Sequence, residues 1–304
     1  MAAVTEGSGD AGVGIHLDGG TCFLARYGDP AGYPVFYLHG FPGSHREGAL
    51  AAKSAMTHGV CLYAIDRPGY GKSHPRPDLT LADWPDYQEH LARALGLTRY
   101  GVIALSGGAP YAYAAADAAP PGLAFTLILG GLPPLVESTG RAGLPSLMRV
   151  HGWIQRGFPG WIRLEARLLA GKIRRRPHWL LERVEGFVAP VDQATLKDPD
   201  VRRTLMASWV SGLEGRGAGL ADDLKRYLTP FPDGFQGAFE KPLRVLHGDQ
   251  DRIIPLERAE AFVKKLHGVT LEVHSGEGHF SLPLRRQDTI WKVVRQLIDA
   301  SPVI

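Results

Sequence analysis

The residues of this chain best suited to chemistry lie in a run of small amino acids around one serine. Ser106 stands in Ala104-Leu105-Ser106-Gly107-Gly108, so residues with almost no side chain occupy the positions two before and two after it. The apolar stretch 100–105 before it predicts a buried strand, and the alanine-rich stretch 108–119 after it predicts a helix. A sharp turn between the two would lift the hydroxyl above the sheet, at the positive end of the helix. This is a suitable place for a nucleophile, although a serine among glycines also fits an ordinary loop.

A serine that transfers acyl groups needs a base, a carboxylate that orients the base, and fixed donors for the oxyanion. Two loops late in the chain offer candidates for the first two. The loop after the predicted strand Leu243–Leu246 carries Asp249 and Asp251, and the segment after the predicted strand 270–273 carries His274 and His279. Residue type alone does not decide between Asp249 and Asp251, or between His274 and His279.

Five segments, in their order along the chain, resemble motifs of the α/β-hydrolase fold family, in particular its serine hydrolases with a helical cap. They are His39-Gly40-Phe41-Pro42 (an H-G-x-P oxyanion loop), Asp66-Arg67-Pro68-Gly69-Tyr70-Gly71-Lys72-Ser73 (a D-x-P-G turn), the elbow around Ser106 with Ala104 for the usual first glycine, Gly248 to Pro255 (a G-x-x-D-x-x-x-P acid loop), and Gly276 to Phe280. Alanine is small enough to keep the turn sharp.

The resemblance implies a role for each site residue. Ser106 is the expected nucleophile, His279 the base and Asp251 the acid, with Asp249 and His274 as the alternatives. Within the early loop Pro42 has no N–H to donate. The expected oxyanion donors are therefore the backbone amides of Phe41 and Gly107, and His39 is expected to be structural.

Two other arrangements fit the residues less well. The segment 66–73 ends in Gly-Lys-Ser, but a phosphate-binding P-loop would need glycine where Asp66 stands. Some family members carry the acid after the strand before the insertion, where this chain reads Leu129-Gly130-Gly131-Leu132-Pro133 and offers no carboxylate. No His or Cys cluster has metal-ligand spacing, so we expect neither a cofactor nor a metal.

Strand and helix patterns alternate along most of the chain, which predicts a mostly parallel, doubly wound α/β sheet. The alternation stops after Pro134, and residues 135–235 show helical patterns without a convincing strand. We therefore expect a hydrolase core at 15–134 and 236–304, a helical cap at 135–235, and a flexible tail at 1–14. Within the cap, residues 144–176 combine arginines with aromatic and aliphatic residues, among them Trp153, Ile154 and Phe158. This stretch could line a pocket or touch a membrane surface, but helices with a solvated basic face are the simpler interpretation.

The bulk composition of the 304 residues is typical of a soluble globular protein, with 44% hydrophobic and 21% charged residues. A net charge of +3 does not favour a nucleic acid partner. The two cysteines, Cys22 and Cys61, fall in predicted strands and indicate buried thiols. The N-terminus lacks the features of a secretory signal and no apolar run could span a bilayer, so we expect a cytoplasmic protein without stable membrane insertion. The oligomeric state stays open.

These features predict a cofactor-free serine hydrolase that acts on a small-molecule ester or similar acyl compound. Two other classes remain open: a non-hydrolytic enzyme of the same fold, such as a lyase or a cofactor-independent oxygenase, and a small-molecule receptor that retains the triad. An aminopeptidase would need acidic residues in the cap, and none can be assigned. A serine nucleophile argues against the dehalogenases and epoxide hydrolases of the fold, which use aspartate there.

Overall fold

The computed structural model describes residues 12–135, 159–229, 231 and 233–301. One eight-stranded sheet organises it, with strands β1 (Val13–Leu17), β2 (Gly20–Gly28), β3 (Tyr33–Leu38), β4 (Val60–Ile65), β5 (Tyr100–Leu105), β6 (Leu123–Leu129), β7 (Ala238–Gly248) and β8 (His267–His274). The strand order is β1-β2-β4-β3-β5-β6-β7-β8. The pairs β1–β2 and β2–β4 are antiparallel and the others are parallel. The predicted fold class is confirmed.

The described helices are α1 (Ala52–Thr57), α2 (Trp84–Ala94), α3 (Ala109–Ala118), α4 (Pro159–Arg175), α5 (Pro177–Glu185), α6 (Pro190–Leu196), α7 (Pro199–Gly212), α8 (Ala218–Tyr227), α9 (Leu256–Val263), α10 (Ser281–Arg285) and α11 (Gln287–Ala300). A 3₁₀ helix, His45–Ala51, precedes α1. Helices α4 to α8 follow one another between β6 and β7, and we call them the inserted helices. No helix in the described ranges is long and apolar enough to cross a membrane.

The sheet is buried on both faces because successive residues of its central strands point to opposite sides. In β5, Val102 and Ala104 pack with Trp84 in one hydrophobic core, and Ile103 packs with Trp291 in the other. Large apolar side chains buried in this way each contribute about 1.5–3 kcal/mol to folding. The inserted helices have a third, smaller core that includes Leu181, Leu205 and Trp209.

Some element boundaries differ from those expected. Strand β7 begins at Ala238, before the predicted strand Leu243–Leu246, and pairs there with β8 across a register shift between Ala238 and Leu243. The segment Phe239-Glu240-Lys241-Pro242 lacks a strand-like apolar pattern, which is why sequence periodicity missed it. Most of the predicted tail and residues 136–158, including Trp153, Ile154 and Phe158, lie outside the described residues, and Val13 and Gly14 belong to β1.

Candidate active site

Ser106 lies directly after β5, at the start of a single 3₁₀ turn that leads into α3. Its φ of 50° is in the left-handed region, which costs a non-glycine residue about 1–3 kcal/mol. Only glycine fits at Gly108, where an added Cβ would lie 2.7 Å from the carbonyl oxygen of Leu38. Ala104 is fully buried in β5 and accommodates its methyl group within the core. The turn therefore forms with alanine in place of the first glycine.

His279 and Asp251 form a buried pair in the loops that follow β8 and β7. The Nδ1 atom of His279 lies 2.7 Å from Oδ2 of Asp251. The other carboxylate oxygen accepts the N–H groups of Ile253 and Ile254, both at 2.8 Å. Asp251 is thereby held in one orientation, and with Nδ1 donating to it the histidine keeps Nε2 as its free acceptor.

The electrostatic surroundings of His279 favour its charged form. Burial alone would lower the pKa of the imidazole, but the charge and hydrogen bond of Asp251 outweigh burial and raise that pKa above 6.5. Gly130, after β6, passes close to this pair, since a Cβ there would lie 3.3 Å from Nδ1 of His279.

The loop after β3 places the amide of Phe41 beside the serine turn. A Cβ added at Gly107 would lie 3.3 Å from the amide nitrogen of Phe41, and one added at Gly40 would lie 3.8 Å from Cβ of Ser106. The two expected oxyanion donors thus stand close together next to the serine. His39 is fully buried; its Nδ1 pairs with the Gly40 carbonyl at 2.8 Å and its Nε2 accepts the Arg67 N–H at 3.3 Å. Both contacts of the His39 ring are with backbone groups.

The turn 66–73 also has a structural role. Asp66 is fully buried and accepts the backbone N–H of His45 at 2.7 Å and that of Lys72 at 3.1 Å. The guanidinium of Arg67 donates to the carbonyl oxygens of His39 and Gly40 and so holds the loop that carries Phe41. Within the described residues no group of three His, Cys, Asp or Glu side chains could hold a metal ion.

The alternative acid and base lie elsewhere. Asp249 accepts the N–H of Gly276 at 2.8 Å, and Nε2 of His274 lies 3.2 Å from Oε1 of Glu272. Of the two candidates for each role, therefore, Asp251 and His279 are the ones in mutual contact.

Ser106 and His279 line the same cavity, of about 170 Å³. Aliphatic and aromatic side chains make up most of its wall, and the inserted helices contribute Leu180, Val184, Leu205 and Trp209. Among the described residues that line it, none is a lysine or an arginine. Its volume is close to that of a ~150 Å³ apolar cavity that holds benzene. The cavity therefore suits a small, neutral, apolar group.

The family follows from a match over most of the chain. A model of the Alpha/beta hydrolase family matches residues 35–290, a range that includes the oxyanion loop, the serine turn and the His279–Asp251 pair. The chain belongs to this family. The family fixes the fold, while the activity depends on the site that each member builds.

Several proteins are similar to this α/β-hydrolase. A non-heme haloperoxidase of Rhodococcus erythropolis is 24% identical over 274 residues, which are 86% of this chain and 90% of that protein. Among solved structures, a thermophilic esterase from Thermogutta terrifontis has a TM-score of 0.67 and 22% identity, with 94% of this chain and 99% of that chain covered. A bromoperoxidase from Bacillus anthracis has a TM-score of 0.70 and 16% identity, with 95% and 100% covered. At these identities the likeness concerns the fold.

One carboxylate of the α/β-hydrolase site was missed by the sequence analysis. The spacing of Ser44 and Glu47 matches a capping box, in which the glutamate would accept the serine N–H. Instead, the N–H of Ser44 donates to Ser208 on α7, and Glu47 turns inward to accept the Gly40 N–H at 2.9 Å and the Ser208 hydroxyl at 3.3 Å. Burial raises the pKa of Glu47 from 4.5 to about 7, although the bond from Gly40 opposes this. Glu47 therefore joins the oxyanion loop to the inserted helices.

Three further residues of the inserted helices contact the loops around the site. Tyr227 donates to the Gly107 carbonyl at 2.6 Å and lies 3.0 Å from Oδ2 of Asp223, which pairs with Arg67 at 2.8 Å. Asp192 accepts N–H groups from the His279 loop. A buried carboxylate needs such partners, but no local sequence pattern indicates the contacts with Arg67, Gly107 and His279, which lie more than 80 residues away.

Proposed function

We propose that this protein is a cofactor-free serine hydrolase that cleaves carboxylic esters with a small, neutral, apolar acyl group. The observation that carries the proposal is that Ser106 and His279 line the same cavity, while Nδ1 of His279 lies 2.7 Å from Oδ2 of Asp251. Nucleophile, base and orienting acid then belong to one site that opens on an apolar space.

In the proposed reaction His279 Nε2 takes the proton of Ser106 as the Oγ atom attacks the ester carbonyl. The tetrahedral oxyanion is bound by the amides of Phe41 and Gly107, each worth about 10²–10³ in rate. The imidazolium then protonates the leaving alkoxide, and an acyl-enzyme remains. Water, deprotonated by the same nitrogen, attacks the acyl carbonyl, and Ser106 recovers its proton when the acid leaves.

The wall of the cavity supports the choice of substrate. A carboxylate-bearing substrate would lack a cationic partner among the lining residues that the structure describes. An aminopeptidase would need an acidic group to hold the substrate amine, and the lining residues from the described inserted helices are Leu180, Val184, Leu205 and Trp209. Within the described part of the wall the one acidic residue is Glu47, which already accepts two hydrogen bonds within the protein. A cavity of about 170 Å³ suits an acyl group of about benzene size, or roughly six carbons.

The test is hydrolysis of p-nitrophenyl esters of graded acyl length by the wild type and by Ser106→Ala. We expect the wild type to prefer acyl groups of about two to six carbons, with kcat/KM falling for longer chains, and we expect the variant to be at background. Ser54→Ala is the matched control, since this serine lies on α1 and is not among the described residues that line the cavity. Absence of wild-type turnover on every ester would refute the proposal, and tight ligand retention without turnover would favour a receptor.

A further inference from the structure

The inserted helices place one fully buried carboxylate against the loop that carries His279. Asp192, on α6, accepts the backbone N–H of His279 with Oδ2 at 2.9 Å. Its Oδ1 accepts the N–H groups of Phe280 at 2.9 Å and Ser281 at 2.8 Å. Three consecutive amides of the loop thus end on one side chain that lies 87 or more positions earlier in the chain.

The sequence of the loop accommodates this approach. A Cβ added at Gly278 would lie 2.3 Å from Oδ2 of Asp192, so any residue other than glycine would push the carboxylate away. Asp192 therefore fixes the loop backbone through its hydrogen bonds, while Asp251 fixes the imidazole ring. Ring and backbone of His279 are both fixed.

We propose that Asp192 is a positioning residue for His279: it fixes the loop that carries the base and adds negative charge near the imidazolium formed during the reaction. This inference rests on the proposed function, in which His279 is the base. It assigns to the inserted helices a part in aligning the site, in addition to lining the cavity. Lifting these helices as one body would leave a buried carboxylate and three amides unpaired.

The charged and titratable groups that face His279 come from three parts of the chain. Asp251 and His247 lie on and after β7, Asp192 on α6, and Glu47 on the 3₁₀ helix. Asp251, Asp192 and Glu47 all raise the pKa of His279. Removing the charge of Asp192 should therefore lower that pKa.

The experiment compares Asp192→Asn with Asp200→Asn, an exposed aspartate on α7 that pairs with Arg203. For Asp192→Asn we expect kcat on a p-nitrophenyl ester to fall by about 10- to 100-fold, as for a misplacement of up to ~1 Å, with KM changed less than threefold. We also expect the acid limb of its kcat/KM profile to move to lower pH. The control should match the wild type in both. Unchanged kcat, or a loss of kcat with an unmoved acid limb, would overturn the proposal.

Hydrogen exchange on the wild type provides a second test that needs no variant. If Asp192 binds the loop, the amides of Phe280 and Ser281 should exchange much more slowly than unprotected amides. Exchange at the unprotected rate would overturn the inference even if Asp192→Asn did not fold. Absence of wild-type turnover would refute the proposed function instead, and the protection of these amides would still report the Asp192 contact.

Discussion

Replacing Gly107 with alanine should push apart the two amides that are proposed to bind the oxyanion. The added Cβ would lie 2.5 Å from Cβ of Phe41 and 2.7 Å from the hydroxyl oxygen of Tyr227. Carbon atoms in contact are normally 3.5–4.0 Å apart, so the turn and the Phe41 loop must separate by about 1 Å. Tyr227 cannot swing aside freely, because its hydroxyl donates to the carbonyl of Gly107 itself.

The expected result of Gly107→Ala is a fall in kcat of about 10²-fold, as for a 1 Å misplacement of catalytic groups. Overpacking should also lower the free energy of unfolding by about 1–3 kcal/mol. The assay is steady-state hydrolysis of p-nitrophenyl acetate, combined with urea unfolding of the same samples. Gly160→Ala is the matched control, since an added Cβ at this helical glycine has no neighbour within 4 Å among the described residues. A Gly107→Ala enzyme with kcat within threefold of the wild type would refute the placement of these amides.

Three further expectations concern titratable groups. Asp251→Asn should lower kcat by about 10⁴-fold, whereas Asp249→Asn should change it less than twofold; equal losses in parallel assays would contradict the choice of acid. His279 must be neutral to accept a proton and its pKa is raised, so kcat/KM should fall with decreasing pH around a midpoint above 6.5; a pH–rate profile with a lower midpoint would contradict this. Burial raises the pKa of Glu47 from 4.5 to about 7. Between pH 4.5 and pH 7 the folded protein therefore binds a proton at Glu47 that the unfolded chain has lost. As pH rises through this range, about 3 kcal/mol of the free energy of unfolding should be lost. The melting temperature of Glu47→Gln should therefore rise relative to that of the wild type between pH 5 and pH 8. A difference in melting temperature that stays constant over this range would contradict the raised pKa of Glu47.

The parts of the fold that sequence analysis predicted well are those with a local cause. The strand before Ser106 is apolar throughout, and Gly107 and Gly108 mark the turn after it, so both could be placed without knowledge of the tertiary structure. The sheet followed from the alternation of such segments. Strand β7 began earlier than expected, because its first residues pair with β8 across a register shift and carry no apolar periodicity.

The contacts of the inserted helices could not be predicted in this way. Asp192, Asp223 and Tyr227 look like ordinary helix residues in the sequence. Their partners in the loops of the site, His279, Arg67 and Gly107, lie far from them along the chain. The spacing of Ser44 and Glu47 fits a capping box, but the carboxylate of Glu47 accepts the buried N–H of Gly40 instead. A buried donor that would otherwise remain unsatisfied costs about 1–3 kcal/mol, and the N–H of Ser44 does not need Glu47 because it donates to the Ser208 hydroxyl.

The most direct test of the central claim is to map the site of fluorophosphonate labelling by peptide mass spectrometry. We expect one adduct on Ser106, absent from Ser106→Ala and formed much more slowly in His279→Asn, because Nε2 of His279 is the proposed acceptor of the serine proton. Labelling of a different residue, or equal labelling rates in the wild type and His279→Asn, would contradict the account.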